Sequence, residues 1–161
     1  MWTQIIEADL GHPEHADAIV MLLDVYARDP AGGGQALNDR VRERLVPELR
    51  KRTGVHVVLA FEGDEAVGMA ICMEGFSTFV CEPLLNVHDL VVHPSRRGQG
   101  LAGQLLAEVE RIARQRGCCK VTLEVLEGNT SAQAAYRRAG FEGYQLDPVM
   151  GRAMFWQKWL S

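Results

Sequence analysis

The chain has 161 residues, of which 47% are apolar and 24% are charged, and its formal net charge is −4. This length suits one domain with a full core, so we predict a single domain over residues 1–161. The negative charge argues against nucleic acid as a partner, and the lack of a long apolar run argues against a membrane partner or span. Residues 1–5 lack the basic and apolar regions of a secretory signal, so we expect a cytoplasmic protein.

The first half of the chain predicts a strand, two helices and a hairpin. An opening strand is expected from Trp2 to Leu10, and Pro13 is typical of a helix start. Apolar residues recur every four positions from Leu37 to Leu49 and predict the second helix. Two apolar, β-branched runs within residues 55–73 flank a polar turn and indicate a β-hairpin.

The second half predicts a β-α-β unit followed by a short helix and a closing pair of strands. A buried strand is expected over residues 87–92, a long helix has its apolar stripe between Leu101 and Ala113, and a strand returns over residues 121–125. A right-handed connection makes these two strands parallel. A short helix is expected over residues 130–139, and the alternating tail from Ala153 to Leu160 is typical of a strand.

Ahead of the long helix, residues 93–103 form a basic, glycine-rich turn. The first amides of a helix lack intrahelical partners and carry partial positive charge. Gly98 and Gly100 remove the Cβ atoms that would keep a diphosphate at a distance, and Arg96 and Arg97 add positive charge. The turn therefore predicts a site for a phosphate-bearing molecule.

One candidate for that molecule is a dinucleotide. Gly98-x-Gly100-x-x-Gly103, with Glu124 about twenty residues further on, matches the dinucleotide fingerprint. However, five residues separate the strand from the first glycine, and the chain after Val125 is too short to complete a doubly wound sheet. NAD(P) binding is therefore kept as an alternative.

The other candidate comes from a family resemblance. Arg97-x-x-Gly100-x-Ala102 resembles the diphosphate-binding signature of the GNAT superfamily of N-acetyltransferases, within a similar strand-loop-helix segment from Val91. The stretch from Asn129 to Phe141 is similar to the second motif of that family. The resemblance implies an α/β (α+β) fold in which four helices flank a mixed, splayed central β-sheet of about six to seven strands.

The resemblance also implies acetyl-CoA as the acyl donor, bound in a cleft between the strands at residues 87–92 and 121–125. Main chain of the first strand would pair with the pantetheine arm, and amides of the turn would bind the diphosphate. The residues expected to contact the coenzyme are Leu90, Val91, Val92, Arg97, Gly98, Gln99, Gly100, Leu101, Ala102, Gly103, Asn129 and Tyr136. The residues considered for its 3′-phosphate are Arg96, Arg97, Lys120 and Arg138.

Acetyl transfer to an amine poses two proton-transfer problems of unequal size. An alkyl ammonium has a pKa near 10.4, so presenting the free amine at pH 7 costs on the order of 4–5 kcal/mol, and protonating the leaving thiolate demands less. Tyr136 occupies the position where the family often carries the tyrosine that protonates the sulfur. The candidate bases are His88, Asp89 and Glu124; His88 comes first because histidine is the residue type most often used as a base near neutral pH. At most one of His88 and Asp89 points into the cleft.

The resulting hypothesis is direct acetyl transfer, through a ternary complex, to a primary amine of a small molecule or peptide. We expect no covalent intermediate and no metal, because the cysteines at positions 72, 81, 118 and 119 show no Cys-x-x-Cys pair or activating partners. A non-catalytic acyl-CoA-binding module is an alternative, and a homodimer through residues 155–159 is a further hypothesis. Acceptor specificity is expected from Asp24, Tyr26, Asp29, Phe76, Ser77, Thr78 and Phe79.

Overall fold

The computed structural model describes residues 2–160 and divides into two compact units, the first ending at Leu123 and the second beginning at Glu124. The single domain over residues 1–161 therefore stays a prediction. The elements of the first unit are β1 (Thr3–Glu7), α1 (Pro13–Arg28), a 3-10 turn (Pro30–Gly32), α2 (Asp39–Arg50), β2 (Val55–Glu62), β3 (Glu65–Ser77), β4 (Glu82–Val92), a second 3-10 turn (Pro94–Arg96), α3 (Leu101–Gln115) and β5 (Val121–Leu123). The second unit holds α4 (Thr130–Arg138).

The first unit is built on one sheet with the strand order β1-β2-β3-β4-β5. Strands β1 to β4 are antiparallel neighbours, and β5 joins β4 in parallel through the crossover helix α3. The mixed α/β fold is therefore confirmed, with five strands in residues 2–160 where six to seven were expected. One parallel pair does not make the doubly wound sheet that the NAD(P) alternative requires.

Helices cover both faces of this sheet. On one face, α1 and α2 pack against strand residues in a core made of Ala18, Ile19, Leu22, Val46, Val57, Leu59, Ala66, Met69, Ile71 and Val91. On the other face, α3 lies so close to β3 that a Cβ on Gly68 would stand 3.0 Å from Leu105 Cδ1 and 3.2 Å from Leu101 Cδ2. This contact fixes the N-terminal turn of α3 on the sheet. No helix within residues 2–160 is long and apolar enough to cross a membrane.

The second unit, described by itself, has little regular structure beyond α4. An isolated β-bridge joins Gln145 to Arg152, and residues 153–160 form no strand, so the predicted closing strands are wrong. Trp156 and Trp159 are 81% and 87% exposed. Alternating residues form a strand only where another strand supplies hydrogen bonds and packing, and no strand within residues 2–160 does so for this segment. The homodimer through residues 155–159 stays a prediction.

Candidate functional site

Strand β4 has an edge that β5 covers only in part. β5 pairs with residues 85–87 of β4 and then ends, whereas β4 continues to Val92. The splay predicted between these two strands is therefore present, and it begins after Val87. β4 starts at Glu82, earlier than expected, because β3 and β4 form one long hairpin.

The hydrogen-bond pattern of β4 determines which peptide groups face the open edge. The His93 N–H donates to the Val67 carbonyl at 2.9 Å, so this peptide group points toward β3. Directions alternate along an antiparallel pair, so Val91 also bonds toward β3, while Leu90 and Val92 present N–H and C=O groups to the opposite side. Of the three residues expected to pair with pantetheine, Leu90 and Val92 have suitably directed main chain, whereas the main chain of Val91 is committed to the sheet.

A β-bulge interrupts β4 at His88. Ile71 pairs with Asp89, and the next residue, Cys72, pairs with Val87, so His88 is the extra residue between two partners. The register places Asp89 in the row of Ile71, on the face that α1 and α2 cover. Asp89 is half-buried and His88 is exposed.

The surroundings of Asp89 alter several pKa values. Burial raises the pKa of Asp89, with partial opposition from the neighbouring His88, and no hydrogen bond within residues 2–160 supports its charged form. On α1, burial raises the pKa of the Tyr26 hydroxyl, and the charges of Asp89 and Asp29 raise it further. We call Tyr26, Asp29 and Asp89 the Tyr26 cluster; its acidic character suits a cationic ligand.

The turn at residues 93–103 contains a run of backbone amides without acceptors. Gly98 and Gly100 have φ values of 76° and 81°, and Gly100 is the N-cap of α3 without a side-chain capping bond. The Gln104 N–H donates to the Gly100 carbonyl at 3.3 Å, but the N–H groups of residues 98–103 reach no acceptor within residues 2–160. A Cβ on Gly98, Gly100 or Gly103 would meet no atom of residues 2–160 within 4 Å, so these glycines leave open space beside the described chain. This arrangement fits an anionic ligand.

The two arginines of the turn have different partners. Arg96 Nε donates to Glu62 Oε2 at 2.7 Å, and the Glu62 side chain is only 10% exposed. Arg97 Nη2 donates to Asp29 Oδ2 at 3.0 Å, and its Nε donates to the Val92 carbonyl at 3.3 Å. The Arg97 side chain is 51% exposed, so of the two it is the more accessible to a ligand phosphate.

Other sequence candidates lie outside residues 93–103. The Lys120 carbonyl accepts from the Leu85 N–H at 3.1 Å, which places Lys120 roughly 20 Å along β4 from Val92. Arg138 and Glu124 are exposed residues of the second unit. Residues 76–79 form the end of β3 and the turn after it, and Phe76 and Phe79 are exposed.

Asp24 links α1 to the segment that leads into α2, and its carboxylate oxygens are already occupied by donors of this chain. Its Oδ2 accepts from Arg28 Nε at 2.8 Å, and its Oδ1 accepts from the Leu37 N–H at 2.9 Å and pairs with Arg42 Nη2 at 2.6 Å. The Arg28 hydrogen bond is the main cause that holds the pKa of Asp24 at about 2, although burial opposes it. Sequence reasoning missed this role; the i,i+4 spacing of Asp24 and Arg28 was the available signal.

In the second unit, Asn129 and Tyr136 belong to one helix. Asn129 Oδ1 accepts from the Ala132 N–H at 3.3 Å and so caps α4. The Tyr136 ring is 6.1 Å from the Phe141 ring between centroids, and the Phe141 N–H donates to the Tyr136 carbonyl at 3.0 Å. The contribution of Asn129 and Tyr136 to coenzyme binding stays a prediction.

The four cysteines are free thiols in this structure. Cys72 is buried, and its burial, with a smaller effect of the Asp89 charge, raises its pKa to about 12. Burial also raises the pKa of Cys118. Among residues 2–160, no three or more His, Cys, Asp or Glu side chains are grouped so as to hold a metal ion.

Comparison with known proteins points to one family. The model of the acetyltransferase (GNAT) family matches residues 19–141. A thialysine N-epsilon-acetyltransferase of Caenorhabditis elegans is 29% identical over 124 residues, which cover 77% of this chain and 75% of that protein.

Solved structures share the fold over nearly the whole chain. A probable acetyltransferase has a TM-score of 0.80 and 21% identity, covering 98% of this chain and 99% of its own. AAC(6')-Iy, in complex with the bisubstrate analogue CoA-S-monomethyl-acetylneamine, has a TM-score of 0.76 and 21% identity, covering 99% and 100%. At these identities the likeness shows the fold alone.

Proposed function

We propose, because the chain belongs to the GNAT family of acetyltransferases, that it transfers the acetyl group of acetyl-CoA directly to a primary amine of a small molecule or peptide. One observation carries this proposal: the amides at residues 98–103 find no acceptor in the described part of the chain, residues 2–160, and they follow the open edge of β4. Together they offer a diphosphate site and an unpaired strand edge, the two features that an extended pantetheine nucleotide needs.

The proposed coenzyme contacts are made mostly by main chain. The amides from Gly98 to Gly103 bind the diphosphate, including those of Gln99, Leu101 and Ala102. Leu101 contributes its N–H only, because the residue is 4% exposed and its side chain packs against β3. Leu90 and Val92 bind the amides of the pantetheine arm, and Arg97 adds a charged contact to phosphate.

Asp89 replaces His88 as the first candidate for the base. The amine must lose a proton at a cost of on the order of 4–5 kcal/mol at pH 7, so the base matters most. Asp89 is half-buried on the α1 face at the bulge, and burial raises its pKa, which makes it a stronger base than an ordinary carboxylate. His88 is exposed at the bulge itself, and Glu124 is exposed beyond the end of β5.

Tyr136 remains the proposed acid that protonates the leaving coenzyme thiolate. A tyrosine phenol ordinarily has a pKa of about 10, so this residue type can supply a proton at neutral pH. Asn129 keeps its proposed contact to the coenzyme while it caps α4, since its amide nitrogen is separate from the capping oxygen.

The acceptor is proposed to be a small cationic amine. The Caenorhabditis elegans relative is named for N-epsilon-acetylation of thialysine, which supports an amine acceptor. The Tyr26 cluster supports it independently, because Asp89 has no ion-pair partner within residues 2–160 and attracts a cation, whereas Asp29 is already paired with Arg97.

Steady-state kinetics with a panel of amines tests the proposal. Thiol release from acetyl-CoA should depend on the amine, and double-reciprocal plots should intersect, as a ternary complex requires; parallel lines would contradict direct transfer. Acetyl-pantetheine, which lacks the diphosphate, should lose at least a hundredfold in kcat/KM relative to acetyl-CoA. Equal rates with both donors would show that the amides at residues 98–103 do not bind the diphosphate.

A further inference from the structure

Strand β5 is held to β4 by few contacts. It has three residues, which pair in parallel with residues 85–87 of β4, and parallel pairing is slightly less stable per residue than antiparallel pairing. One side-chain hydrogen bond adds to this ladder, because Asn86 Nδ2 donates to Thr122 Oγ1 at 2.9 Å. Within residues 2–160, no other side-chain hydrogen bond joins the two strands. We call this contact the Asn86–Thr122 pair.

The Asn86–Thr122 pair lies where the two strands begin to separate. The pairing with β5 ends at Val87, and the bulge at His88 follows directly. A bulge bends its strand and increases the local twist, so β4 turns away from β5 at this point. The open edge of β4 therefore runs from the Asn86–Thr122 pair at one end to Val92 and the turn at residues 93–103 at the other.

The bulge also brings Asn86 onto the same face of the sheet as Asp89. Asn86 is the register partner of Met73 on β3. Asp89 is the register partner of Ile71, two residues earlier on that strand, and residues two apart share a face. Two residues of strand span roughly 7 Å, so Asn86 lies one row from the proposed base. This is the end of the cleft opposite the proposed diphosphate site, where the thioester of an extended coenzyme would lie.

We propose that Asn86 and Thr122 are positioning residues for the pantetheine arm: their hydrogen bond holds β5 against β4 and so fixes the width of the cleft before the coenzyme enters. One hydrogen bond is a large share of what stabilises a ladder of three residues. A frayed β5 would have to be ordered on binding, and this ordering lowers affinity. The diphosphate site does not depend on β5, since Leu101 and Leu105 hold the first turn of α3 against β3. This inference rests on the proposed function and concerns the pantetheine arm alone.

The first test compares the binding of CoA with that of ADP, which has a diphosphate but no pantetheine arm. Thr122→Val removes the hydroxyl and keeps a β-branched side chain that suits a strand. In calorimetry this variant should raise Kd for CoA by about fivefold or more and leave Kd for ADP within about twofold of the native value. Thr122→Ser restores the hydroxyl and should bring Kd for CoA back toward the native value. Thr3→Val is the matched control at the other edge of the sheet, where Thr3 Oγ1 donates to Glu62 Oε1 at 3.2 Å, and it should change neither Kd.

A second variant tests whether the two side chains act together. Asn86→Ala should also weaken CoA binding, and Asn86→Ala combined with Thr122→Val should weaken it no more than either change alone, because both remove the same hydrogen bond. The inference is wrong if the two losses add, if CoA and ADP lose affinity equally, or if Thr122→Ser binds CoA as weakly as Thr122→Val. A native protein that binds neither CoA nor ADP would instead contradict the proposed function.

Discussion

The Asp89 carboxylate, at the bulge of β4, acts electrostatically on the Tyr26 hydroxyl of α1. Burial raises the pKa of Tyr26, and the negative charge of Asp89 raises it further. The two residues lie 63 positions apart in sequence, and the charge of Asp89 acts on Tyr26 because the strand register turns Asp89 toward the helices. This relationship favours Asp89 over its neighbour His88 as the group that faces an acceptor.

Asp89→Asn should lower kcat by about a hundredfold or more, because the ammonium then lacks the proposed general base. The same change should increase the free energy of unfolding at pH 7. Burial raises the pKa of Asp89 in the folded state, so its protonated form contributes stability below the ordinary value of 3.8, and that contribution is lost as the pH rises through the raised pKa. The gain from asparagine should therefore disappear in acid; steady-state rates and denaturant unfolding at several pH values measure both effects.

His88→Gln distinguishes the two neighbours at the bulge. Asp89 is the proposed base and His88 is exposed, so His88→Gln should keep the fall in activity at low pH, the acid limb of the pH-rate profile. A profile that loses this limb in His88→Gln and keeps it in Asp89→Asn would assign the base to His88.

Tyr136→Phe should lower kcat by between about tenfold and a thousandfold while KM for acetyl-CoA changes little, because only the hydroxyl proposed as the proton donor is removed. Stopped-time assays with acetyl-CoA and the best amine measure this. Tyr144→Phe, an exposed tyrosine of the same unit, is the control. Equal activity of Tyr136→Phe and the native enzyme would remove Tyr136 from the mechanism.

Gly100→Ala should raise KM for acetyl-CoA and lower the free energy of unfolding by about 1 kcal/mol. Alanine is strained at the φ of 81°, so the turn shifts and its amides move away from the diphosphate. Gly117→Ala is a matched control at the other end of α3, with a φ of 71° and no atom within 4 Å of its Cβ. It should show the same loss of stability with no change in KM; equal KM values for the two variants would contradict the diphosphate site.

An enzyme without cysteine should retain kcat within about threefold. Cys72 is buried with its pKa raised to about 12, so it supplies almost no thiolate at neutral pH. The variant combines Cys72→Ala with serine at positions 81, 118 and 119, and circular dichroism confirms its folding. Loss of transfer in a folded variant would indicate an acetyl-cysteine intermediate.

Asp24→Asn should lower the free energy of unfolding by about 2 kcal/mol at pH 7. The pKa of Asp24 is lowered to about 2 from 3.8, so its charged form adds stability above pH 3.8 that is lost as the pH falls through about 2. Denaturant unfolding at pH 7 and at pH 2 should show the difference shrinking in acid. Asp17→Asn, on the exposed face of α1, should change the free energy of unfolding at neither pH. An equal loss in this variant would show that the contacts of Asp24 make no particular contribution to stability.

The parts of the fold that could be predicted from the sequence are those that depend on local patterns. The apolar stripe of α3 is buried as expected, and Gly98 and Gly100 have the positive φ values that a glycine-rich turn requires. Each of these features depends on residues a few positions apart. The prediction of a strand after Ala153 is wrong because an alternating sequence specifies which residues share a face but supplies no partner strand.

The sequence by itself determined the glycine-rich turn and the crossover helix that follows it, since glycine conformations, helix starts and apolar periodicity are local properties. Only the tertiary structure decided which distant polar groups act on one another: Arg97 pairs with Asp29, the charge of Asp89 raises the pKa of Tyr26, and Asp24 accepts from three donors. The physical reason is register. One extra residue at His88 sets the direction of every later side chain in β4, and no local signal states where two distant segments come into contact.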